Sequence, residues 1–401
     1  MTEGWRRGCY SIEAVRAKAR HVLPGPVFDF VDGGAEDEWT LRRNETAFEG
    51  VGLLPRPLNG AAQRDLSVNL LGQKLSMPVM IGPTGLAGLM WPNGEVAAAR
   101  AAASAGTGYC LSHGSVCKLE DVPRSGTGPR WMQVFIYRDR GFTEELANRA
   151  AAAGYDALVL TTDNQMLGNR ERDVRNGFAI PPKFKLMDML AMAGKLQWLW
   201  RMRPELQRIT FGNYVRSGEV IDIGSLAKRM AELLDPSMSW KDVEWLRKIW
   251  KGPLIIKGIL HPEEAKQAVA RGVDGVIVSN HGGRQLDGAV PALDALPAIV
   301  DAVAGDIPVL LDGGVRRGSH VVKAVCLGAA CCLIARPQLW GLAVGGEAGV
   351  AHVLDIFRRE IDRSMALMGA ACIADLTADM IVSPAHNSTS QGKRNAKISN
   401  R

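Results

Sequence analysis

Eight short apolar runs recur along the chain, and an amphipathic segment rich in Ala follows most of them. Val, Ile, Leu and Thr dominate these runs without alternating with polar residues, a pattern typical of strands buried on both faces in a parallel sheet. Eight such units favour an α/β fold, the (β/α)8 TIM barrel, over a doubly wound sheet. The predicted strands are residues 78–82, 107–112, 130–135, 156–162, 253–257, 274–279, 308–312 and 331–335.

Helical periodicity lies between the predicted strands, at residues 94–105, 142–153, 262–271, 292–303, 319–327 and 346–368. Residues 1–76 form an N-terminal extension with helical patterns at 11–20 and 25–32 and a hairpin at 66–75 that turns at Gly72. The polar residues 385–401 predict a disordered tail. The predicted barrel domain therefore spans residues 1–384.

One connection is much longer than a barrel needs, because about ninety residues separate Thr162 from Pro253. We predict an insertion at about 178–240. Its stretch 184–203 is rich in Met, Trp and Leu, with Lys and Arg but a single Asp. Two interpretations stay open: an interfacial helix on a membrane, or a lid or oligomer contact packed on the barrel.

Composition excludes several classes of protein. The net charge of +6, with 47% hydrophobic and 22% charged residues, is that of an ordinary globular protein. No basic run interleaves with aromatic residues, so nucleic acid is not an expected partner. The seven Cys form no Cys-x-x-Cys pair, which favours a cytoplasmic location. No apolar stretch is long enough to predict a membrane-spanning helix.

Polar and titratable side chains cluster at the predicted strand ends, where a barrel builds its active site. His281 and Arg284 share one Gly-rich loop, which combines a group that takes a proton near neutral pH with a carboxylate clamp. The alternative is a strand-to-helix turn with a capping His. The other candidates at these ends are Pro83, Thr84, Gly85, Ser112, Gln133, Thr161, Asp163, Arg170, Lys257, Ser279, Asp312, Gly314, Arg316 and Arg336.

A second Gly-rich loop, residues 312–318, precedes a predicted helix and carries Arg316, with Arg336 one strand later. Backbone N–H groups at a helix start, together with Arg, make a phosphate site. The alternative is a Gly-rich turn with solvated arginines. Hydroxyls, an amide and Lys257 beside a phosphate site fit a flavin mononucleotide (FMN), and no metal is expected.

With these motifs, the chain resembles the FMN-dependent 2-hydroxy acid oxidases and dehydrogenases from about Ser11 to about Ile381. Residues 279–287 match the active-site signature of that family, and residues 33–38, 160–163 and 311–318 also match. Gly85, the insertion and residues 210–213 look like the membrane-associated dehydrogenase branch. Family members include glycolate oxidase, L-lactate dehydrogenase and mandelate dehydrogenase.

The resemblance implies a role for each matching position. It implies that His281 is the base, that Asp163 orients it, and that Lys257 stabilises charge on the flavin. Arg170 and Arg284 would hold the substrate carboxylate. The flavin would be bound by Pro83, Thr84, Gly85, Ser112, Gln133, Thr161, Ser279, Asp312, Gly314, Arg316 and Arg336.

Two positions depart from the family pattern, since Phe30 and Phe135 stand where the family usually has Tyr. In the family these hydroxyls touch the substrate, and Phe cannot donate a hydrogen bond. A drier pocket favours an aryl or otherwise hydrophobic 2-hydroxy acid, mandelate-like, over lactate or glycolate.

The expected reaction is oxidation of a small-molecule 2-hydroxy acid to the 2-oxo acid, with electrons passed to quinone or oxygen. Two alternatives stay open: an FMN barrel acting on another substrate such as a modified peptide, and a non-catalytic binding protein on an enzyme scaffold. We expect a homotetramer, and for the membrane interpretation a protein peripheral on the cytoplasmic face of the inner membrane.

Overall fold

The computed structural model describes residues 3–177, 195–203, 211–214 and 234–382. Eight parallel strands close into a barrel. These strands are β4 (Val79–Ile81), β5 (Tyr109–Leu111), β6 (Arg130–Val134), β7 (Ala157–Thr161), β8 (Leu254–Ile259), β9 (Gly275–Val278), β10 (Val309–Asp312) and β11 (Cys331–Ile334). Around the barrel they pair in the order β10-β11-β4-β5-β6-β7-β8-β9. The predicted TIM barrel is confirmed, strand by strand.

Helices cover the outside of the barrel. The described helices of five or more residues are α1 (Ile12–Val22), α2 (Gly25–Asp32), α3 (Trp39–Thr46), α4 (Gly94–Ser104), α5 (Arg140–Ala152), α6 (Glu171–Arg175), α7 (Leu196–Met202), α8 (Trp240–Ile249), α9 (Pro262–Ala270), α10 (Ala292–Val303), α11 (Gly318–Cys326) and α12 (Arg336–Met368). The last helix begins ten residues before its predicted start and changes direction at Gly346. Sequence patterns did not predict α3, α6 or α8.

Inside the barrel, alternate residues of the strands form a closed apolar cluster, while the intervening residues pack against the helices. Apolar contacts on both faces explain why the strands read as continuous apolar runs. The interior cluster consists of Leu70, Leu75, Met80, Cys110, Trp131, Ala157, Val159, Ile255, Ile277, Leu310, Cys331 and Leu333.

The predicted hairpin is confirmed as β2 (Val68–Leu70) and β3 (Gln73–Leu75), paired antiparallel. Leu70 and Leu75 join the interior cluster, and Gln73 accepts a hydrogen bond from Trp131 Nε1 at 3.1 Å. Because Trp131 lies at the start of β6, the hairpin closes the amino-terminal end of the barrel. Outside the barrel, β1 (Gly52–Leu53) pairs with β12 (Ile381–Val382).

Most of the predicted insertion at 178–240, and the predicted tail at 385–401, lie outside the described residues. Within the described part of the chain, no helix is both long and apolar enough to cross a membrane.

Candidate active site

The loop after β9 adopts a rare backbone conformation at the carboxyl end of the barrel. Three consecutive residues are left-handed, His281 at φ +57°, Gly282 at +61° and Gly283 at +72°. A Cβ on Gly283 would lie 2.5 Å from the backbone N of Leu41, so only glycine fits there. A left-handed His costs about 1–2 kcal/mol. The hydrogen bond from His281 N to Ser279 Oγ, at 3.1 Å, stabilises this backbone conformation.

His281 is paired with Asp163, as the resemblance implies. Its Nδ1 lies 2.8 Å from Asp163 Oδ1, and its side chain is 25% exposed. Burial raises the pKa of Asp163, but the charges of His281 and Lys257 outweigh burial and lower it overall. An ionised carboxylate only accepts, so Nδ1 carries the proton and Nε2 presents a lone pair. Burial lowers the pKa of His281, although Asp163 opposes this effect. The lowered pKa keeps the ring neutral, so that it can accept a proton.

Lys257, at the end of the barrel interior, carries a buried positive charge. Its Nζ lies 2.7 Å from Ser279 Oγ and 3.0 Å from Asp312 Oδ2. Burial lowers the pKa of Lys257, but Asp312 and Asp163 outweigh burial and raise it overall. The lysine therefore stays charged and places a fixed cation between β7 and β10.

Several buried polar atoms at the carboxyl end of the barrel lack a hydrogen-bond partner within the described part of the chain. They include Thr161 Oγ1, Asp163 Oδ2, Asp312 Oδ1 and Arg316 Nε. Buried polar atoms in native proteins are nearly always paired, so atoms of this kind indicate a ligand. A hydroxyl, a carboxylate oxygen and a guanidinium nitrogen match the ring, the polyol chain and the phosphate of FMN. The residues present therefore fit FMN.

Arg284 contacts the end of α2, and Arg170 contacts the loop after β9. Arg284 donates to the carbonyls of Phe30 and Gly33, both at 2.8 Å. Arg170 donates weakly to Arg284 O at 3.4 Å and to Gln285 Oε1 at 3.3 Å. The structure thus brings Arg170 and Arg284, the two residues predicted to bind the substrate carboxylate, together at the loop after β9.

The residues predicted to bind the phosphate have different kinds of partner in the structure. Arg336 donates to Val31 O, Gly33 O and Gly282 O, so backbone carbonyls engage its guanidinium in this conformation. Arg316 pairs with Glu45 at 2.8 Å, and its Nε has no hydrogen-bond partner among the described residues. Gly314 is a glycine for a packing reason, because a Cβ would lie 1.9 Å from Asn44 O.

The remaining predicted flavin residues also lie at strand ends. Thr84, between Pro83 and Gly85 after β4, accepts a hydrogen bond from Gln338 at 2.8 Å. Ser112 Oγ donates to Gln133 Oε1 at 3.3 Å, and both side chains are buried.

Phe30 and Phe135 each pack against a basic side chain near the site. The guanidinium carbon of Arg284 stands 5.2 Å from the centre of the Phe30 ring, a cation–π contact. Phe135 is buried, with its ring centre 4.2 Å from that of His113. Neither ring supplies a hydrogen-bond donor, so both positions are apolar walls.

Sequence reasoning missed four polar residues that hold the site together. Asn44 and Asn280 exchange hydrogen bonds of 2.8 Å, which tie α3 to the loop after β9. Gln285 binds the carbonyls of Asp163 and Met166, and Asp287 accepts from the backbone of Thr40 at 2.7 Å. Gln285 and Asp287 lie within the signature at residues 279–287, and that position could have identified them as site residues.

A fifth missed residue, His113, follows Ser112 at the end of β5 and is buried against Phe135. Its position directly after a predicted flavin residue was the available signal.

Comparisons with known proteins agree with this geometry. The model of a family described as FMN-dependent dehydrogenase matches residues 19–383. An L-lactate dehydrogenase of Ectopseudomonas mendocina is 43% identical over 368 residues, which cover 92% of this chain and 97% of that protein. One of Serratia proteamaculans is equally similar, at 43% identity over 368 residues.

Solved structures give the same result. A crystal structure of the monotopic membrane protein (S)-mandelate dehydrogenase superposes with a TM-score of 0.90 at 38% identity, covering 93% of this chain and 99% of that one. A mandelate oxidase gives a TM-score of 0.80 at 36% identity and covers 92% of this chain and 96% of that one. Sequence match, fold and site geometry agree: this chain belongs to the FMN-dependent dehydrogenase family.

Proposed function

We propose that this protein uses FMN to oxidise a 2-hydroxy acid to the corresponding 2-oxo acid. The observation that carries the proposal is the hydrogen bond of 2.8 Å between His281 Nδ1 and Asp163 Oδ1. It places a neutral, oriented base at the carboxyl end of the barrel, beside a buried lysine and two arginines. A protein that only binds its ligand has no use for such a base.

In the proposed reaction, His281 Nε2 accepts the proton of the substrate 2-hydroxyl group. Asp163 holds the ring in the required tautomer and stabilises the imidazolium that forms. Bound FMN would supply the oxidising chemistry, because a flavin can take the Cα hydrogen together with its two electrons as the carbon–oxygen double bond forms. General-base assistance of this kind contributes about 10²–10⁴ in rate.

Lys257 would neutralise negative charge beside the flavin ring, where its charge is already fixed by Asp312. Thr161, Ser279, Ser112, Gln133 and the Pro83–Gly85 turn would line the ring. Asp312 would bind the polyol chain, and Gly314, Arg316 and Arg336 would bind the phosphate. Arg336 must then exchange at least one of its backbone carbonyl partners for the phosphate.

Arg170 and Arg284 would hold the substrate carboxylate, and Phe30 and Phe135 would face the rest of the substrate. Apolar walls at both positions support an aryl or hydrophobic 2-hydroxy acid. The relatives include both L-lactate dehydrogenases and (S)-mandelate dehydrogenase, so lactate is the second candidate.

The test is anaerobic reduction of the purified holoenzyme by a panel containing lactate, mandelate and ring-substituted mandelates. We expect flavin absorbance to bleach fastest with an aryl acid. Lack of bleaching by every acid of the panel would contradict the proposal.

The location of the protein is a separate proposal, peripheral association with the cytoplasmic face of the inner membrane, with quinone as the electron acceptor. Two observations support it. The similar (S)-mandelate dehydrogenase is described as a monotopic membrane protein. In α7, Trp200 and Leu196 are 81% and 68% exposed, while Trp198 is fully buried and donates to Leu89 O. The homotetramer stays a prediction.

A further inference from the structure

Asn44, near the carboxyl end of α3, is a buried polar residue that joins this helix to the loop after β9. The residue is 2% exposed. Its Nδ2 donates to Asn280 Oδ1 and its Oδ1 accepts from Asn280 Nδ2, both at 2.8 Å. Asn280 is also buried and directly precedes His281. A reciprocal pair of buried hydrogen bonds is costly to break, because each broken bond leaves a polar atom unsatisfied.

Backbone groups fix the direction in which each amide points. Gly283 N donates to Asn280 Oδ1 at 3.2 Å, and Asn280 Nδ2 also donates to Val290 O at 3.0 Å. A backbone N–H can only donate and a carbonyl can only accept, so these neighbours identify the oxygen and the nitrogen of the Asn280 amide. Asn44 must then present its nitrogen to that oxygen and its oxygen to that nitrogen. The pair has one arrangement, and it supports the turn of residues 280–283 that contains His281.

The backbone of Asn44 packs closely against the loop after β10. A Cβ on Gly314 would lie 1.9 Å from Asn44 O and 3.0 Å from Glu45 N. A Cβ on Gly313 would lie 3.5 Å from Asn44 Cγ. The next residue, Glu45, pairs with Arg316 at 2.8 Å. Asn44 therefore contacts both the loop that carries the base and the loop proposed to bind the phosphate.

The start of α3 is held against the loop after β9 as well. Asp287 Oδ1 accepts a hydrogen bond from the backbone N–H of Thr40 at 2.7 Å. A Cβ on Gly283 would lie 2.5 Å from the backbone N of Leu41. A helix fixed at both of its ends moves as one body, and such rigid elements can carry coupling between two sites.

We propose that Asn44 is a positioning residue that couples binding of the FMN phosphate to the order of the loop that carries His281. The inference rests on the phosphate site of the proposed function, at Gly314, Arg316 and Arg336. A phosphate bound there fixes the loop after β10 against the backbone of Asn44. The amide of Asn44 in turn fixes Asn280 and the left-handed turn at His281. The phosphate of the cofactor thereby helps to hold the base in place.

Arg336 offers a second route between the same two loops. It donates to Gly282 O at 3.0 Å, and it is also proposed to bind the phosphate. Removal of the Asn44 amide distinguishes the two routes, because Arg336 keeps this contact in such a variant.

The experiment compares the full-length protein saturated with FMN and the same protein saturated with riboflavin, which lacks the phosphate. Amide hydrogen exchange is followed by mass spectrometry in peptides covering residues 280–288 and 313–318. In the wild-type protein, both loops should exchange about tenfold more slowly with FMN than with riboflavin, an ordinary size for coupling between two sites. In Asn44→Ala, FMN should still protect residues 313–318, but its advantage at residues 280–288 should fall below about twofold.

A conservative variant and a matched control sharpen the comparison. Asn44→Asp has the same shape and keeps an oxygen for Asn280 Nδ2, but it cannot donate to Asn280 Oδ1, so it should retain only part of the advantage. The control is Ser76→Ala, just before β4, which removes a side chain that donates to Ala105 O and accepts from Arg358. It should exchange like the wild-type protein in both loops.

Equal exchange of residues 280–288 with the two flavins in the wild-type protein would overturn the inference. An undiminished advantage of FMN in Asn44→Ala would also overturn it, since that result assigns the coupling to Arg336. So would an equal loss of protection in both loops of this variant, the signature of a merely structural role. FMN that leaves residues 313–318 unprotected would refute the proposed phosphate position and the inference with it. Exchange needs no substrate, so failure of the proposed oxidation is detected separately.

Discussion

Asp163 sets both the orientation and the basicity of His281. The contact of 2.8 Å between Oδ1 and Nδ1 selects the tautomer in which Nδ1 carries the proton and Nε2 keeps its lone pair. Burial lowers the pKa of His281, and Asp163 opposes that effect. Both effects act on the pKa of His281, which is measured as the acidic limb of the pH profile of kcat/KM.

We predict that Asp163→Asn lowers kcat about 100-fold or more, because the tautomer is no longer fixed. The base must be neutral, so kcat/KM falls as pH falls through the pKa of His281. Removing the carboxylate removes the effect that raises this pKa, so the acidic limb should move to lower pH. A pH profile of kcat/KM checks the sign, with exposed Asp306→Asn as control. A shift of the limb to higher pH would contradict the assignment of Asp163.

Phe135 offers the reverse change, from an apolar wall to a donor. Phe135→Tyr adds a hydroxyl beside a buried aromatic cluster, and a new hydrogen bond to the substrate is worth about 0.5–1.5 kcal/mol. We expect kcat/KM for lactate to rise by roughly three- to tenfold, since each 1.4 kcal/mol is about tenfold. Steady-state kinetics on lactate and mandelate measure the change. Unchanged kinetics on both acids would show that residue 135 does not face the substrate.

Among the elements, the hairpin β2–β3 acts on stability and not on the site. Leu75 is fully buried in the barrel interior, at the end opposite to His281. Leu75→Ala should lower the free energy of unfolding by about 2–5 kcal/mol through the cavity it leaves. Thermal unfolding measures the loss, and Leu58→Ala, at a residue that is 98% exposed, should show none. A changed KM in the flavin-loaded Leu75→Ala variant would contradict the separation of stability from catalysis.

The elements also show what the sequence could predict. The eight barrel strands were predictable, because burial on both faces leaves a continuous apolar run. Helix α3 was not, because its buried residues are the polar Thr40 and Asn44. Their partners, Asp287 and Asn280, lie 247 and 236 residues further along the chain. Contacts at that separation leave no local periodicity to detect.

The same distinction holds for the site. Asp163 and His281 come just after predicted strands, Lys257 ends one, and the structure places the three together. His113 was missed because its contacts, the amide of Gln133 and the ring of Phe135, are brought near only by the neighbouring strand. That Arg336 donates to three backbone carbonyls was likewise not visible from the residue type.

For the whole molecule, the exposed apolar side chains of α7 predict a surface for lipid. The double variant Leu196→Ser, Trp200→Ser should reduce co-sedimentation with anionic phospholipid vesicles by at least about half, since it removes the two large apolar side chains exposed there. Leu58→Ser, which removes an exposed leucine elsewhere, should pellet like the wild-type protein. A wild-type protein that never pellets with vesicles would refute peripheral membrane association.

The most direct test of the central claim follows one turnover in wild-type and His281→Gln holoenzymes under anaerobic conditions. In the wild-type protein, a 2-hydroxy acid should bleach the flavin and yield one 2-oxo acid per flavin. His281→Gln should keep its flavin spectrum and bleach about 10²–10⁴-fold more slowly, the usual contribution of a general base. Bleaching of the variant at the wild-type rate, or bleaching of the wild-type protein without formation of a 2-oxo acid, would contradict the account.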